Sequence, residues 1–265
     1  MSIYLLFMEL LVAYRDDPAG YNIAKYLTQN LENENGIFHG GNFDLIVIST
    51  PTISADWMEE KYQYDGFIFL SKHAAESGKL ALTCHSTGNF NTANFGGNPK
   101  QVAIPHPNFQ KTYMKNLSEN HELFPDFQIT IEATHHGPTA LGKPSIFIEI
   151  GTTEKQWNDV KLCNLVSSII LETIENPIPE YPFAICFGGT HYSEKFSNEL
   201  INGKLALGTV MPKHMLDFLD ESLFSHILSR NIGIKAALLD WNGLGKNKHK
   251  ILDFLSITDL EVIKL

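Results

Sequence analysis

Residues 132–139 read EATHHGPT, an acid followed by two adjacent histidines and a Gly-Pro break. Imidazole is the commonest protein metal ligand and titrates near neutral pH. His135 and His136 could therefore bind a metal, move protons, or sit in a solvated turn. In a regular strand neighbouring side chains point to opposite faces, so only one of the two could face an ion. Gly137 and Pro138 break the strand at once, and the chain can already be turning at His136. Three other apolar stretches also deliver histidine. FIFLSKH ends at Lys72 and His73, and LALTCHSTGN runs through His85 to Ser86, Thr87, Gly88 and Asn89. FAICFGGTHY passes Gly188 and Gly189 before His191 and Tyr192. Ligands of open α/β sheets bind beyond the carboxyl ends of the strands. Parallel strands would gather these five imidazoles in one crevice, whereas antiparallel ones would divide them between two edges.

Two carboxylates reinforce the cluster. Alternation sets Ile129, Ile131 and Ala133 on one face of ITIEATH, with Thr130, Glu132 and Thr134 on the other. In SIFIEIG, Ile146, Ile148 and Ile150 share a face, with Phe147 and Glu149 opposite. A carboxylate in so apolar a strand is costly to bury unless it is paired or binds a cation. Glu132 and Glu149 are thus candidates for metal ligand, for orienting a metal-bound histidine, or for general base; a structural ion pair is the plain alternative. Ser86 and Thr87 offer hydroxyls to a substrate, and Gly188 and Gly189 let backbone N–H groups approach one closely. Cys84 beside His85 has the residue types of a nucleophile–base pair, but sequence neighbours rarely have that geometry. His39, His106, His121, His214, His226 and His249 lie in helical or loop contexts and are read as structural. No HExxH, P-loop, GxSxG or GxGxxG is present, which disfavours the enzyme classes those motifs mark. Nitrogen and oxygen donors without a strong thiolate suit zinc and metal-assisted hydrolysis.

The elements that must position these groups are apolar runs of strand length at 43–50, 66–71, 127–134, 145–151, 183–189, 204–211 and 234–241. Helical patterns lie between several of them, at 16–31, 152–176 and 214–230, the first opened by an Asp-Pro start. Strands interleaved with helices predict an α/β fold with a mixed, largely parallel sheet covered on both faces. No linker or repeat divides the 265 residues, so one domain over 1–265 is expected. The apolar start MSIYLLFMELLVAY lacks a basic leader, carries Glu9, and is too short to span a bilayer; a buried first strand or helix is the better reading. Cys84, Cys163 and Cys186 form no CxxC, which suits a reducing cytoplasm and no disulfide framework. Twenty Lys and Arg against 30 Asp and Glu leave a formal charge of −10, against non-specific nucleic-acid binding. Lys246, Lys248, His249 and Lys250 in GKNKHK form a compact basic cluster.

SKHAAESGKLALTCHSTGNF (71–90), IEATHHGPTALGKPSIFIEIGTTEKQW (131–157), FGGTHY (187–192) and LDWNG (239–243) together resemble the archaeal and plant type of D-aminoacyl-tRNA deacylase. The resemblance extends, more thinly, over nearly the whole chain. It implies a three-layer α/β/α fold similar to phosphorylases and peptidyl-tRNA hydrolases, a monomer, and up to two zinc ions per subunit. The implied reaction is hydrolysis of the ester between a D-amino acid and the 3′ end of tRNA, with N-alkylated aminoacyl adducts as further substrates. The family's polar signature falls on Lys72, His73, His85, Thr87, Gly88, Asn89, Glu132, His135, His136, Thr139, Glu149, Gly188, Gly189, His191 and Tyr192. Thr190 stands where the family usually has a third glycine, and Asn242 where it often has lysine, so one potential phosphate contact is missing.

The resulting expectation is a metal-dependent ester hydrolase acting on the acceptor end of tRNA. Catalysis is assigned to His85, His135, His136, Glu132, Thr87 and Asn89, and metal ligation to His135, His136, His191 and Glu149. Substrate binding is assigned to Lys72, His73, Gly188, Gly189, Tyr192 and Thr139, and acceptor-stem phosphates to GKNKHK with Lys204 and Lys213. The alternatives are a metal-dependent amidohydrolase or nucleoside-type hydrolase on a small substrate, and a zinc-buffering or tRNA-binding protein without catalysis. Cleavage of a free ester or amide would mark the first, and metal uptake or tRNA retention without turnover the second.

Overall fold

The computed structural model describes residues 8–75 and 78–265. The described residues form two large sheets and a two-stranded ribbon rather than the one sheet expected. The larger is built from β1 (Glu9–Tyr14), β2 (Glu32–Glu34), β3 (Ile37–His39), β4 (Phe43–Ile48), β5 (Gly66–Ala74), β6 (Ala81–His85), β9 (Gln128–Ile131) and β10 (Ser145–Thr152). Its order is β2-β3-β4-β1-β5-β10-β6-β9. β7 (Gly88–Asn89) and β8 (Gln101–Val102) make a small ribbon. The smaller sheet has the order β12-β11-β13-β14, from β11 (Phe183–Phe187), β12 (Ala206–Met211), β13 (Ala236–Leu239) and β14 (Glu261–Lys264). All its pairings are parallel. In the larger sheet β4, β1, β5 and β10 are parallel, but β6 runs antiparallel to β10 and carries β9 with it. The mixed, largely parallel α/β architecture thus stands. The reading of residues 1–14 as a buried element is met by β1 over Glu9–Tyr14, while its residues 1–7 lie outside the described residues.

The helices are α1 (Pro18–Leu27), α2 (Met58–Lys61), α3 (Pro107–Glu119), α4 (Glu154–Trp157), α5 (Val160–Glu175), α6 (Glu194–Asn202), α7 (Glu221–Arg230) and α8 (Lys248–Ser256). Asp17 caps α1 by accepting from Gly20 N, and Pro18 fills the first turn, as its sequence indicates. The helix expected over 152–176 is two helices, because Asp159 turns its carboxylate back to cap Leu162 N and starts α5 afresh. The 214–230 pattern likewise begins as a 3₁₀ segment, and α7 starts only after the Asp220 cap.

Period-two alternation divides each strand between layers. Ala184 and Cys186 of β11 join a core shared with Leu11, Ile68, Ile148 and the buried faces of α1, α3 and α5. Ile185 and Phe187 face Leu223 and Phe224 of α7 and Ile251 of α8. On the larger sheet Ile146, Ile148 and Ile150 lie in the shared core, while Phe147 packs on the opposite face with Phe67, Phe69 and Met58. That second face supports the site. The three cysteines are buried and free, and no helix among the described residues is long and apolar enough to cross a membrane.

Candidate active site at the junction of the two sheets

The histidines do not meet beyond the strand ends. Because β6 is antiparallel to β10, its last residue His85 pairs with Phe147, in the first half of β10, and Thr83 pairs with Glu149. On the other side Glu149 pairs with Ser71 and Gly151 with His73. Alternation therefore sets His73, His85, Thr83 and Glu149 on one face of the sheet, across three adjacent strands. The antiparallel strand that threatened to divide the histidines brings them together, over the sheet rather than at its edge.

The EATHH segment closes this face from above. β9 stops at Ile131, earlier than the apolar run suggests, because its backbone leaves the larger sheet for the smaller one. Glu132 N still donates to Cys84 O at 3.1 Å, but Ala133 N donates to His191 O at 2.7 Å and Thr134 N to Val210 O at 2.9 Å. Val210 N returns a bond to Thr134 Oγ1 at 2.9 Å. His136 then adopts φ 42°, the left-handed region, and Gly88 N donates to its carbonyl at 2.8 Å. The strand rule that permits only one inward histidine no longer applies. The His135 and His136 ring centroids are 4.4 Å apart, and those of His85 lie 4.2 and 4.8 Å from them.

Each of these three imidazoles has its Nδ1 beside a main-chain carbonyl: His85 on Ser86 O at 3.2 Å, His135 on Ala133 O at 2.9 Å, and His136 on Gly137 O at 2.7 Å. Nδ1–H donating to a carbonyl is the arrangement that fixes a metal-binding tautomer and leaves Nε2 with an open lone pair. His85 is fully buried and its Nε2 has no hydrogen-bond partner. One nitrogen from each ring lies within 4.8 Å of the others. Burial, with the nearby His85, holds His135 well below the usual histidine range and His136 at about 4, so both are neutral at neutral pH. Burial disfavours a charge on His85 too, yet Glu149 lifts its pKa above the usual histidine value. Two neutral imidazoles beside a third with an orphaned buried nitrogen fit a zinc-like cation, which would displace the proton of that third ring.

The carboxylates form a second layer. Glu132, 1% exposed, accepts from Thr83 Oγ1 at 2.5 Å, His73 Nδ1 at 3.0 Å and His191 Nε2 at 2.9 Å. Burial would raise its pKa, but these histidines hold it well below the ordinary carboxylate range. Glu149 stands farther off, 3.4 Å from His73 Nδ1 and 3.8 Å from His85 Nε2. Burial disfavours a charge on His73, yet its bonds to the two glutamates prevail and lift its pKa to about 10. Its Nε2–H then donates to Tyr192 OH at 2.9 Å. The expected ligand quartet of His135, His136, His191 and Glu149 is not gathered as one set. His85 joins His135 and His136, His191 and His135 group with Glu132, and Glu149 groups with His73 and Glu132.

A cavity of about 510 Å³ opens onto this cluster, lined by His73, Glu132, His135, His136, Glu149, His191 and Tyr192, with Lys72 at its side. Lys72 is exposed, its ammonium 5.0 Å from the centre of the Trp157 ring. Thr87 and Asn89 do not line the cavity. The Thr87 hydroxyl donates to Pro138 O and the Asn89 amide to Gly96 O, so both brace the loops that present His136. Thr139 accepts from Asn98 N in the same brace. Gly188 and Gly189 have φ of 96° and 77° and carry the chain from β11 toward His191 without reaching the cavity wall. Cys84 faces the core, where burial pushes its thiol up, so it is no nucleophile. Lys204 precedes β12 and Lys213 follows it, so the two lie at opposite ends of that strand. Lys246 pairs with Asp217 at 2.8 Å and Lys250 donates to Leu216 O at 2.6 Å, so both are engaged by the 3₁₀ segment that Lys213 opens. The sequence reading missed Thr83, two residues before His85 on the same face, and Asp17. Beyond capping α1, Asp17 accepts from Lys72 N at 3.0 Å and ties the end of β5 to that helix. Phe95, on the cavity lip, was also missed.

A family model for D-aminoacyl-tRNA deacylase matches residues 60–263. The chain is 58% identical to a D-aminoacyl-tRNA deacylase of Cenarchaeum symbiosum, covering 97% of this chain and 99% of that one. It is 31% identical to a D-aminoacyl-tRNA deacylase of Thermoplasma acidophilum, covering 97% and 100%. The crystal structure of a conserved protein of unknown function is similar with a TM-score of 0.91 and 27% sequence identity, covering 97% of this chain and 95% of that one. A family match over most of the chain, with near-full-length relatives, leads to one conclusion: the chain belongs to the D-aminoacyl-tRNA deacylase family.

Proposed function

We propose that this chain hydrolyses the ester between a D-amino acid and the 3′ end of tRNA, using a zinc ion at the His85–His135–His136 trio. Family membership supports the ester and the tRNA over the small-substrate alternatives. The observation that carries the metal is the buried, unpartnered Nε2 of His85 beside two imidazoles whose Nδ1 atoms are tied to main-chain carbonyls. A bound zinc would supply Lewis acidity toward the ester carbonyl. With Nδ1 on Ala133 O, His135 has one open lone pair, so its groups with His85 and His136 and with Glu132 and His191 are alternatives, which favours one ion over two.

The remaining work falls to the chain's own groups. Glu149, held less closely than Glu132, takes the proton of the attacking water as its oxygen adds to the ester carbonyl carbon. The carbon–oxygen bond to the ribose then breaks, the proton passes to the leaving 3′-oxygen, and the free amino acid and tRNA depart. Glu132, with both oxygens committed, orients His73 and His191. His73 donates to Tyr192 OH, which leaves the phenol hydrogen to point into the cavity toward the substrate. The test compares deacylation of D-Tyr-tRNA and L-Tyr-tRNA, with and without a chelator. D-selective, chelator-sensitive turnover is expected; equal rates on both forms, or none, would overturn the assignment.

A further inference from the structure

We propose that Phe95 is the stacking platform for the terminal adenine of tRNA, a reading that rests on the tRNA ester assigned above. A single exposed apolar side chain ordinarily needs no explanation. Phe95 differs because it is 67% exposed while its backbone is locked. Its carbonyl accepts from Gly137 N at 3.0 Å, which fastens it to the turn that carries His136. Gly96 and Gly97 follow with φ of 74° and 71°, and a Cβ on Gly96 would collide with Ile53 O. The Gly96 carbonyl accepts from Asn89 Nδ2 at 2.8 Å, and Asn98 N donates to Thr139 Oγ1 at 2.8 Å. The loop is thus fixed on both sides, and only the phenyl ring projects.

The ring projects into the same cavity that holds the histidines and carboxylates, beside the apolar side chains of Pro51 and Ile53. The cavity therefore has a charged floor and an apolar lip. An aminoacyl ester on a terminal ribose has the same layout, with the scissile carbonyl and the base at opposite ends of one sugar. Stacking suits this seat because every base has a π face and no hydrogen-bonding partner is required. With the backbone fixed in advance, only the ring's own rotations remain to be ordered when the base arrives.

The experiment compares Phe95→Ala and Phe95→Trp with the parent protein. Phe95→Ala should raise KM for D-Tyr-tRNA about 5- to 150-fold, the range for loss of one stacked base, with kcat much less affected. Phe95→Trp should restore the parent KM, which separates stacking from a folding defect. A short oligonucleotide ending in CCA should bind the parent more tightly than one ending in CC, and Phe95→Ala should erase that difference. An unchanged KM and binding difference would overturn the proposal. So would a KM rise of equal size on D-tyrosine methyl ester, which would assign the ring to the acyl side. A parent protein that binds the CCA end through Phe95 but hydrolyses no D-aminoacyl-tRNA would refute the assigned reaction and leave this inference standing.

Discussion

Replacing Glu132 tests the whole arrangement, because three side chains donate to this one carboxylate. In Glu132→Gln the amide oxygen can keep the donors at 2.5 Å from Thr83 and 3.0 Å from His73, with the new N–H₂ turned toward His191. What is lost is the charge facing a protonated His73. A hydrogen bond to a charged group contributes about 1.5–3 kcal/mol and a neutral one about 1, so the expected cost is roughly 0.5–2 kcal/mol. At about 2–4 °C per kcal/mol for chains of this size, Tm should fall by roughly 1–8 °C. Glu132→Ala removes both acceptor oxygens and leaves His73 with Glu149 alone at 3.4 Å. Breaking a buried ion pair from one side costs about 3–5 kcal/mol, so its Tm should fall further. Because Glu132 orients two histidines, Glu132→Gln should also slow D-Tyr-tRNA deacylation about 10- to 100-fold. Thermal unfolding at pH 7 and initial deacylation rates read the two effects. A Glu132→Gln protein with parental Tm and parental rate would refute the reading of Glu132 as the node of the site.

Three further outcomes follow from the same geometry. His136→Ala should lose zinc on gel filtration and deacylate at least about 100-fold more slowly, and a chelator should reproduce the loss reversibly; metal analysis beside activity checks this, and chelator-insensitive turnover would count against it. The folded pKa of His73 is raised from 6.5 to about 10, so its stabilising contribution is full below pH 6.5 and disappears as pH rises through 10. Urea unfolding of metal-free protein between pH 6 and 10 should therefore show a steeper loss for the parent than for His73→Gln; parallel curves would contradict the ion-pair account. Gly96→Ala should destabilise by more than about 1 kcal/mol, since its Cβ meets Ile53 O and its φ is 74°, and a parental denaturation midpoint would contradict the locked loop.

Much of the site was legible because its residues sit at fixed parity on strongly apolar strands. Glu149 opposite Ile148, and His85 beyond Leu82 and Cys84, both follow from period two alone. The direction of β6 was not legible. Nothing in LALTCHSTGN states which neighbour it will pair with or how, and that choice decides whether His85 lands at an edge or over Phe147. The early end of β9 was hidden for a similar reason. FQITIEAT reads as one continuous strand, yet Ala133 and Thr134 find their hydrogen-bond partners at His191 and Val210, whose positions depend on the fold of a later part of the chain. Helices α3, α6 and α8 escaped because their apolar stripes are short and interrupted by polar side chains. Phe95 escaped because exposure on a braced loop leaves no periodic trace.

The crossing of EATHH from one sheet to the other also sets a timetable. His191 lies 59 residues after Glu132, a delay of about 3–12 s at roughly 5–20 residues per second of synthesis. A growing chain therefore owns His85, His135 and His136 before it owns the histidine and tyrosine that complete the cavity. Ala133 and Thr134 give their N–H groups to the His191 and Val210 carbonyls, so the three imidazoles take their final places only after that later stretch has been made and folded.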